Sequence, residues 1–152
     1  MVGRCPPLCP DPDPVSGVMA ITSGFNHVAT MTADLDRIID FYRTVFGARV
    51  VSEIAATDGH PRMAILDLGG GGALNITERP TETIVGDRRR SGARGPIDHY
   101  GLAVESRGML EEVRVRLSEA GADVGNIQKL GAIWSLFFRD PDGMELEVCA
   151  TT

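Results

Sequence analysis

The sequence predicts an α+β fold made of two copies of one β-α-β-β-β unit. Three observations predict it. The same order of apolar patterns occurs twice along the 152 residues. Each amphipathic helical stretch stops at a glycine. Two histidines and two further polar residues recur at matched spacing in the two halves.

The first unit opens with "FNHVATMT", a short strand carrying His27. Leu35, Ile38, Ile39, Tyr42, Val45 and Phe46 then recur at helical spacing, with Asp34 placed to cap the start and Gly47 the stop. Strand-like runs follow at about 48–55, 62–68 and 73–77, with glycines 69–72 as a hairpin turn. The second unit opens with "IDHYGLAV", carrying His99. Its helix shows Met109, Leu110, Val113, Leu117 and Ala120, closed by Gly121. Its strands read at about 123–129, 133–138 and 144–149, the last entered through the Asp140-Pro141-Asp142-Gly143 turn. The modules span about 22–78 and 96–150, joined by a polar linker, 79–95.

Length and composition fit one globular domain, 21–152, behind a proline-rich extension, 1–20, expected to be poorly ordered. A net charge of −6 argues against a nucleic-acid partner. No apolar run is long enough to span a bilayer, and no secretory signal opens the chain, so no membrane role is expected. Three cysteines do not form a disulfide framework, which fits a reduced cytoplasmic setting. Cys5 and Cys9 are a weak metal-binding pair within the extension, and Met19 is an alternative start.

The spacing carries the functional signal. Glu147 follows His99 by 48 positions, and Asn75 follows His27 by the same 48. Strand alternation sets His27, Asn75, His99 and Glu147 opposite their apolar neighbours, on the face away from the helices. If the repeats pair about a pseudo-twofold axis, the four converge. Two imidazoles and a carboxylate suit a divalent first-row metal with open positions. Hydrogen-bonded strand histidines and a solvent-facing glutamate are the plainer alternative. Asn75 would be a fourth ligand or a substrate contact. Ser135, Phe137 and Glu145 share the Glu147 face, the first two as cavity wall and Glu145 as a candidate base. Arg88, Arg89, Arg90 and Arg94 read as a solvated linker run, with a clamp on an anionic substrate, Arg94 included, as the sharper alternative. Trp134 is expected in the core, and His60 in a loop.

"NHVATMTADLDRIIDFYRTVFGARV", "IDHYGLAV" and "FFRDPDGMELEV" make residues 22–150 resemble the vicinal oxygen chelate superfamily, the glyoxalase, bleomycin-resistance and dioxygenase group. The resemblance implies a half-open, barrel-like sheet around one divalent metal ion (Fe, Mn, Ni, Co or Zn), held by His27, His99 and Glu147. It implies a metal acting as Lewis acid on a small oxygenated substrate, in glyoxalase-, isomerase/lyase- or dioxygenase-like chemistry. The alternative it implies is a non-catalytic protein that binds an antibiotic or metabolite in the same cavity. Glyoxalase-like sites carry a carboxylate where Asn75 stands, and ring-cleaving dioxygenases a tyrosine where Phe137 stands. Fosfomycin-modifying relatives hold phosphonate with basic residues beyond the final strand, whereas this chain ends at Thr152. A homodimer is expected, because half-open sheets leave edges to cover.

Overall fold

The computed structural model describes residues 21–22, 24–88 and 97–151. The extension with Cys5 and Cys9 lies outside the described residues, as do Arg89, Arg90 and Arg94.

The first module runs β1 (His27–Thr32), α1 (Leu35–Phe46), β2 (Arg49–Ile54), β3 (Met63–Gly69) and β4 (Gly72–Glu78). The second runs β5 (Tyr100–Ala103), α2 (Arg107–Glu119), β6 (Gln128–Leu130), β7 (Ile133–Arg139) and β8 (Glu145–Ala150). The sheets have orders β1-β4-β3-β2 and β5-β8-β7-β6, each with one parallel pair at the end that starts the module. The repeat is therefore kept in topology as well as in sequence. The fold is α+β, with two four-stranded mixed sheets and no closed barrel.

Local chemistry sets the helix limits. The Asp34 carboxylate accepts from the Arg37 amide, satisfying one of the free donors at the start of α1. At its end Gly47 takes φ 67°, which lets its amide turn back onto the Arg43 carbonyl at 3.0 Å. Leu35, Ile38, Ile39, Tyr42 and Val45 are buried as the spacing predicts, and Phe41 joins them. In α2, Leu110, Val113 and Leu117 are buried, whereas Met109 and Ala120 lie exposed at the margins of the apolar stripe.

One core serves both modules. Leu66, Leu74 and Ile76 from the first sheet pack with Leu136, Phe138, Leu146 and Val148 from the second, through the two helices. The Phe138 ring lies 6.3 Å from Phe41 and 5.5 Å from Phe46, so α1 touches the buried face of the second sheet as well as its own. Arg116 of α2 donates to the Val45 carbonyl of α1 at 3.3 Å. The helices thus occupy the space between the sheets, and the face of each sheet away from them looks outward.

Three expectations need correction. The sixth strand is shorter than the expected 123–129. Residues 123–125 meet β7 only through separate bonds, Arg139 N to Asp123 O at 2.8 Å and Gly125 N to Phe137 O at 2.9 Å, and the ladder begins at Gln128. Trp134 is only partly buried, because it lies where the sheet ends, between Lys129 and Ala150, with the Arg107 guanidinium 4.4 Å above its ring. Arg88 is no solvated linker residue. Its side chain is 18 % exposed and lies 3.7 Å from Asp142 of the second module. His60 is in a loop, as expected, and bridges back to Thr57.

Candidate metal centre

Strand register places the site residues. In the second sheet Gly101, Glu147 and Phe137 form one cross-strand row, and Cys149 and Ser135 the next. These residues share the outward face, and His99 joins it just ahead of β5. Leu146 and Val148 alternate with Glu147 and are fully buried. The Glu147 carboxylate is therefore on the open side of β8 because alternation leaves it there.

His99 and Glu147 meet. The His99 Nε2 atom lies 3.3 Å from Glu147 Oε2. The hydroxyl of Ser135, itself fully buried, donates to Glu147 Oε1 and holds the carboxylate from behind. Asp98 Oδ2 lies 2.8 Å from His99 Nδ1. The Phe137 ring stands edge-on to the imidazole, with centroids 5.4 Å apart. The Asp98 hydrogen bond, with Glu147 adding to it, raises the His99 pKa above its ordinary value against the opposing effect of partial burial. Burial, with Glu147 next, pushes the Cys149 thiol up to about 11.

In the first sheet His27, Ala29 and Met31 share the outward face with Ala73, Asn75 and Thr77, and Ala29 pairs with Asn75. His27 is exposed, and its Nδ1 lies 3.0 Å from Asn26 Oδ1. The structure does not bring this half to the other. Among the described residues no three His, Cys, Asp or Glu side chains gather closely enough to hold a metal. Packing explains the separation, since the helices lie between the sheets. Glu145 shares the Glu147 face as expected, with Arg139 Nη2 3.4 Å from its carboxylate. Arg94 lies outside the described residues. A cleft of about 420 Å³ is lined by Met31, Asp34, Arg37, Arg88 and Asp142 among others, and neither His99 nor Glu147 reaches it.

The donor set fits a divalent cation. Neighbouring ligands with bonds of ~2.1 Å stand ~3.0–3.4 Å apart around one metal, and the His99–Glu147 separation falls within that span. Asn26, Asp98 and Cys149 were not singled out from the sequence. The signals for them are present: one polar residue stands immediately before each histidine, and Cys149 lies two positions after Glu147, on the same strand face.

The sequence profile of the glyoxalase/bleomycin resistance protein/dioxygenase superfamily matches residues 24–148. The chain belongs to this superfamily. It is 30% identical over 134 residues to the metallothiol transferase FosB of Shouchella clausii, covering 84% of this chain and 80% of that one. It is 26% identical over 136 residues to biphenyl-2,3-diol 1,2-dioxygenase 3 of Rhodococcus globerulus, covering 86% of this chain and 64% of that enzyme's length. Among solved structures, a glyoxylase/bleomycin resistance protein/dioxygenase domain from Frankia sp. EAN1pec superposes with a TM-score of 0.74 at 28% identity, covering 86% and 99% of the two chains. The superfamily includes enzymes of several kinds, so membership makes catalysis plausible without naming a reaction. No helix among the described residues is long and apolar enough to cross a membrane.

Proposed function

We propose that the protein is a metal-dependent enzyme of the vicinal oxygen chelate type whose metal centre is completed by two copies of the chain. The observation that carries this is the His99–Glu147 pair on the open face of one sheet, with its module twins, His27 and Asn75, on the open face of the other. His27 opens β1 and His99 lies just ahead of β5, and among the described residues both strands are sheet edges. Laying β1 of one copy beside β5 of the next would bring His27 to the pair and give the metal its third ligand. Apolar residues two positions before each histidine support this contact, since Phe25 is 93% exposed and Ile97 59%.

A divalent ion bound there supplies a Lewis acid for paired oxygens of a substrate. The chain's own residues set the rest. Ser135 holds one oxygen of Glu147, which leaves the other beside His99, facing the centre. Asn75 offers an amide as a neutral hydrogen-bond partner. Ala29, Met31, Met63, Ile65 and Phe137 make the walls apolar. The described arginines on these faces are paired, Arg49 with Asp67 at 2.5 Å and Arg139 with Glu145 at 3.4 Å. These walls favour a small, largely uncharged oxygenated molecule. Glu145, positioned as base, is held by Arg139. That pairing favours, as the second reading, a protein that retains such a ligand without turning it over.

The test is metal content after exposure to Fe, Mn, Ni, Co and Zn in turn. Wild type should hold one ion per chain, and His27→Ala and Glu147→Ala none. Unfolded together and refolded, the two variants should regain about one quarter of the wild-type metal, because half the dimers are mixed and each has one intact site of two. No metal in wild type sinks the proposal, and no recovery in the mixture sinks the two-copy site.

A further inference from the structure

The two histidines share a feature that neither the spacing nor the ligand set requires. Each is preceded by a side chain that holds its ring: Asn26 Oδ1 at 3.0 Å from His27 Nδ1, and Asp98 Oδ2 at 2.8 Å from His99 Nδ1. Carboxylate and amide oxygens only accept hydrogen bonds, so in both contacts Nδ1 carries the hydrogen. The lone pair left on a neutral ring is then at Nε2. On His99 that atom faces Glu147 Oε2 at 3.3 Å, another acceptor and the longer of the ring's two carboxylate contacts, so the Nε2 proton rather than the Nδ1 proton is the one the neutral ring gives up.

The two holders differ in charge. Asp98 is an anion and Asn26 a neutral amide, although they occupy the same place in the two modules. An anionic acceptor behind an imidazole raises its basicity as a ligand as well as fixing its orientation. With Glu147 it would also place two negative charges near a divalent ion.

We propose that Asn26 and Asp98 are positioning residues of the metal centre: both fix their histidine as the Nδ1–H tautomer, and Asp98 makes His99 the stronger imidazole ligand. This rests on the metal-centre reading above, and the first half of its test does not need the metal. In such a centre Asp98, His99 and Glu147 of one copy would supply the stronger share of the hold on the ion, and His27 of the other the weaker.

The experiment is nitrogen-15 NMR of the histidine rings in metal-free and Zn(II)-loaded protein, with Zn(II) affinity from competition against a chelating dye. Metal-free wild type, with neutral rings, should show His99 protonated at Nδ1. Zinc should then shift Nε2 of both rings and leave Nδ1–H in place. Asp98→Ala should turn His99 to the Nε2–H form facing Glu147 and weaken Zn(II) by about 10–100-fold. Asp98→Asn should keep the tautomer and lose affinity by a smaller factor, which a purely structural role would not separate. Asn26→Ala should cost less affinity than Asp98→Ala. The Asp98 side chain is 60% exposed, so circular dichroism of the variants should be unchanged. An Nε2–H tautomer at His99 in metal-free wild type, zinc on Nδ1, or unchanged affinity in Asp98→Ala overturns the inference. Zinc that fails to bind wild type overturns the metal-centre reading instead, and the metal-free tautomer still decides what Asp98 does.

Discussion

Replacing Asp140 by asparagine should make the protein more stable at neutral pH and leave it nearly unchanged near pH 4. Asp140 opens the turn before β8 and is 7% exposed. Its Oδ1 accepts the Met144 amide at 2.9 Å, and its Oδ2 accepts from the Tyr42 hydroxyl at 3.4 Å. Burial raises its pKa from 3.8 to about 6, with Asp142 adding to the rise while the Met144 amide and Arg88 oppose it. Tyr100 stands 3.5 Å beyond Tyr42, and burial pushes its own hydroxyl up to about 12, so neither phenol supplies a charge near neutrality. A carboxyl whose folded pKa lies above its unfolded one contributes stability below the unfolded value and loses it as pH rises through the folded one. For Asp140 that window runs from 3.8 to about 6.

The rise corresponds to about 3 kcal/mol between the two protonation states. Asparagine keeps the acceptor for Met144 and never ionises. Wild type and Asp140→Asn should therefore match near pH 4. They should diverge to as much as ~3 kcal/mol by pH 7.5, a melting-temperature gain of about 6–12 °C. His99, whose pKa is also raised, changes stability with the same sign, and the difference between the two proteins cancels it. Urea unfolding at intervals from pH 4 to 8 measures the gap. A gap that stays constant with pH, or an asparagine variant less stable at pH 7.5, would refute the burial argument.

Two further predictions concern packing and capping. Phe138→Ala, at a ring 2% exposed between Phe41 and Phe46, should cost about 3–5 kcal/mol in urea unfolding, and a loss below 1 would mean the two modules do not share a core there. Gly47→Ala puts a side chain at φ 67° and should cost about 1–2 kcal/mol, although a Cβ there would meet nothing within 4 Å. An unchanged melting temperature would show that the helix end had shifted.

What the sequence determined by itself is everything whose cause lies within a few residues or one strand period. Asp34 and Gly47 bound α1 because a carboxylate caps free amides and only glycine takes the left-handed turn cheaply. His27 shares a sheet face with Asn75, and Glu147 with Ser135 and Phe137, because alternation and pairing register are local rules. The Met109, Ala120 and Trp134 expectations failed at the margins, where a residue's burial depends on how far the neighbouring layer extends rather than on its own period.

Tertiary structure alone decided how the two halves stand to each other. Period and spacing place the histidines on equivalent faces of their own modules. They carry no information on whether the modules pair edge to edge or pack through their helices. Here the Leu, Ile and Phe faces of both sheets close over α1 and α2 in one core, a packing that removes their apolar surface from water. The open faces are thereby turned outward. The same packing sets Arg88 against Asp142 and Tyr42 against Asp140, contacts between segments far apart in the chain that no local pattern announces. It also leaves His27 apart from His99 and Glu147 within one chain, which is why the proposed metal centre calls on a second copy.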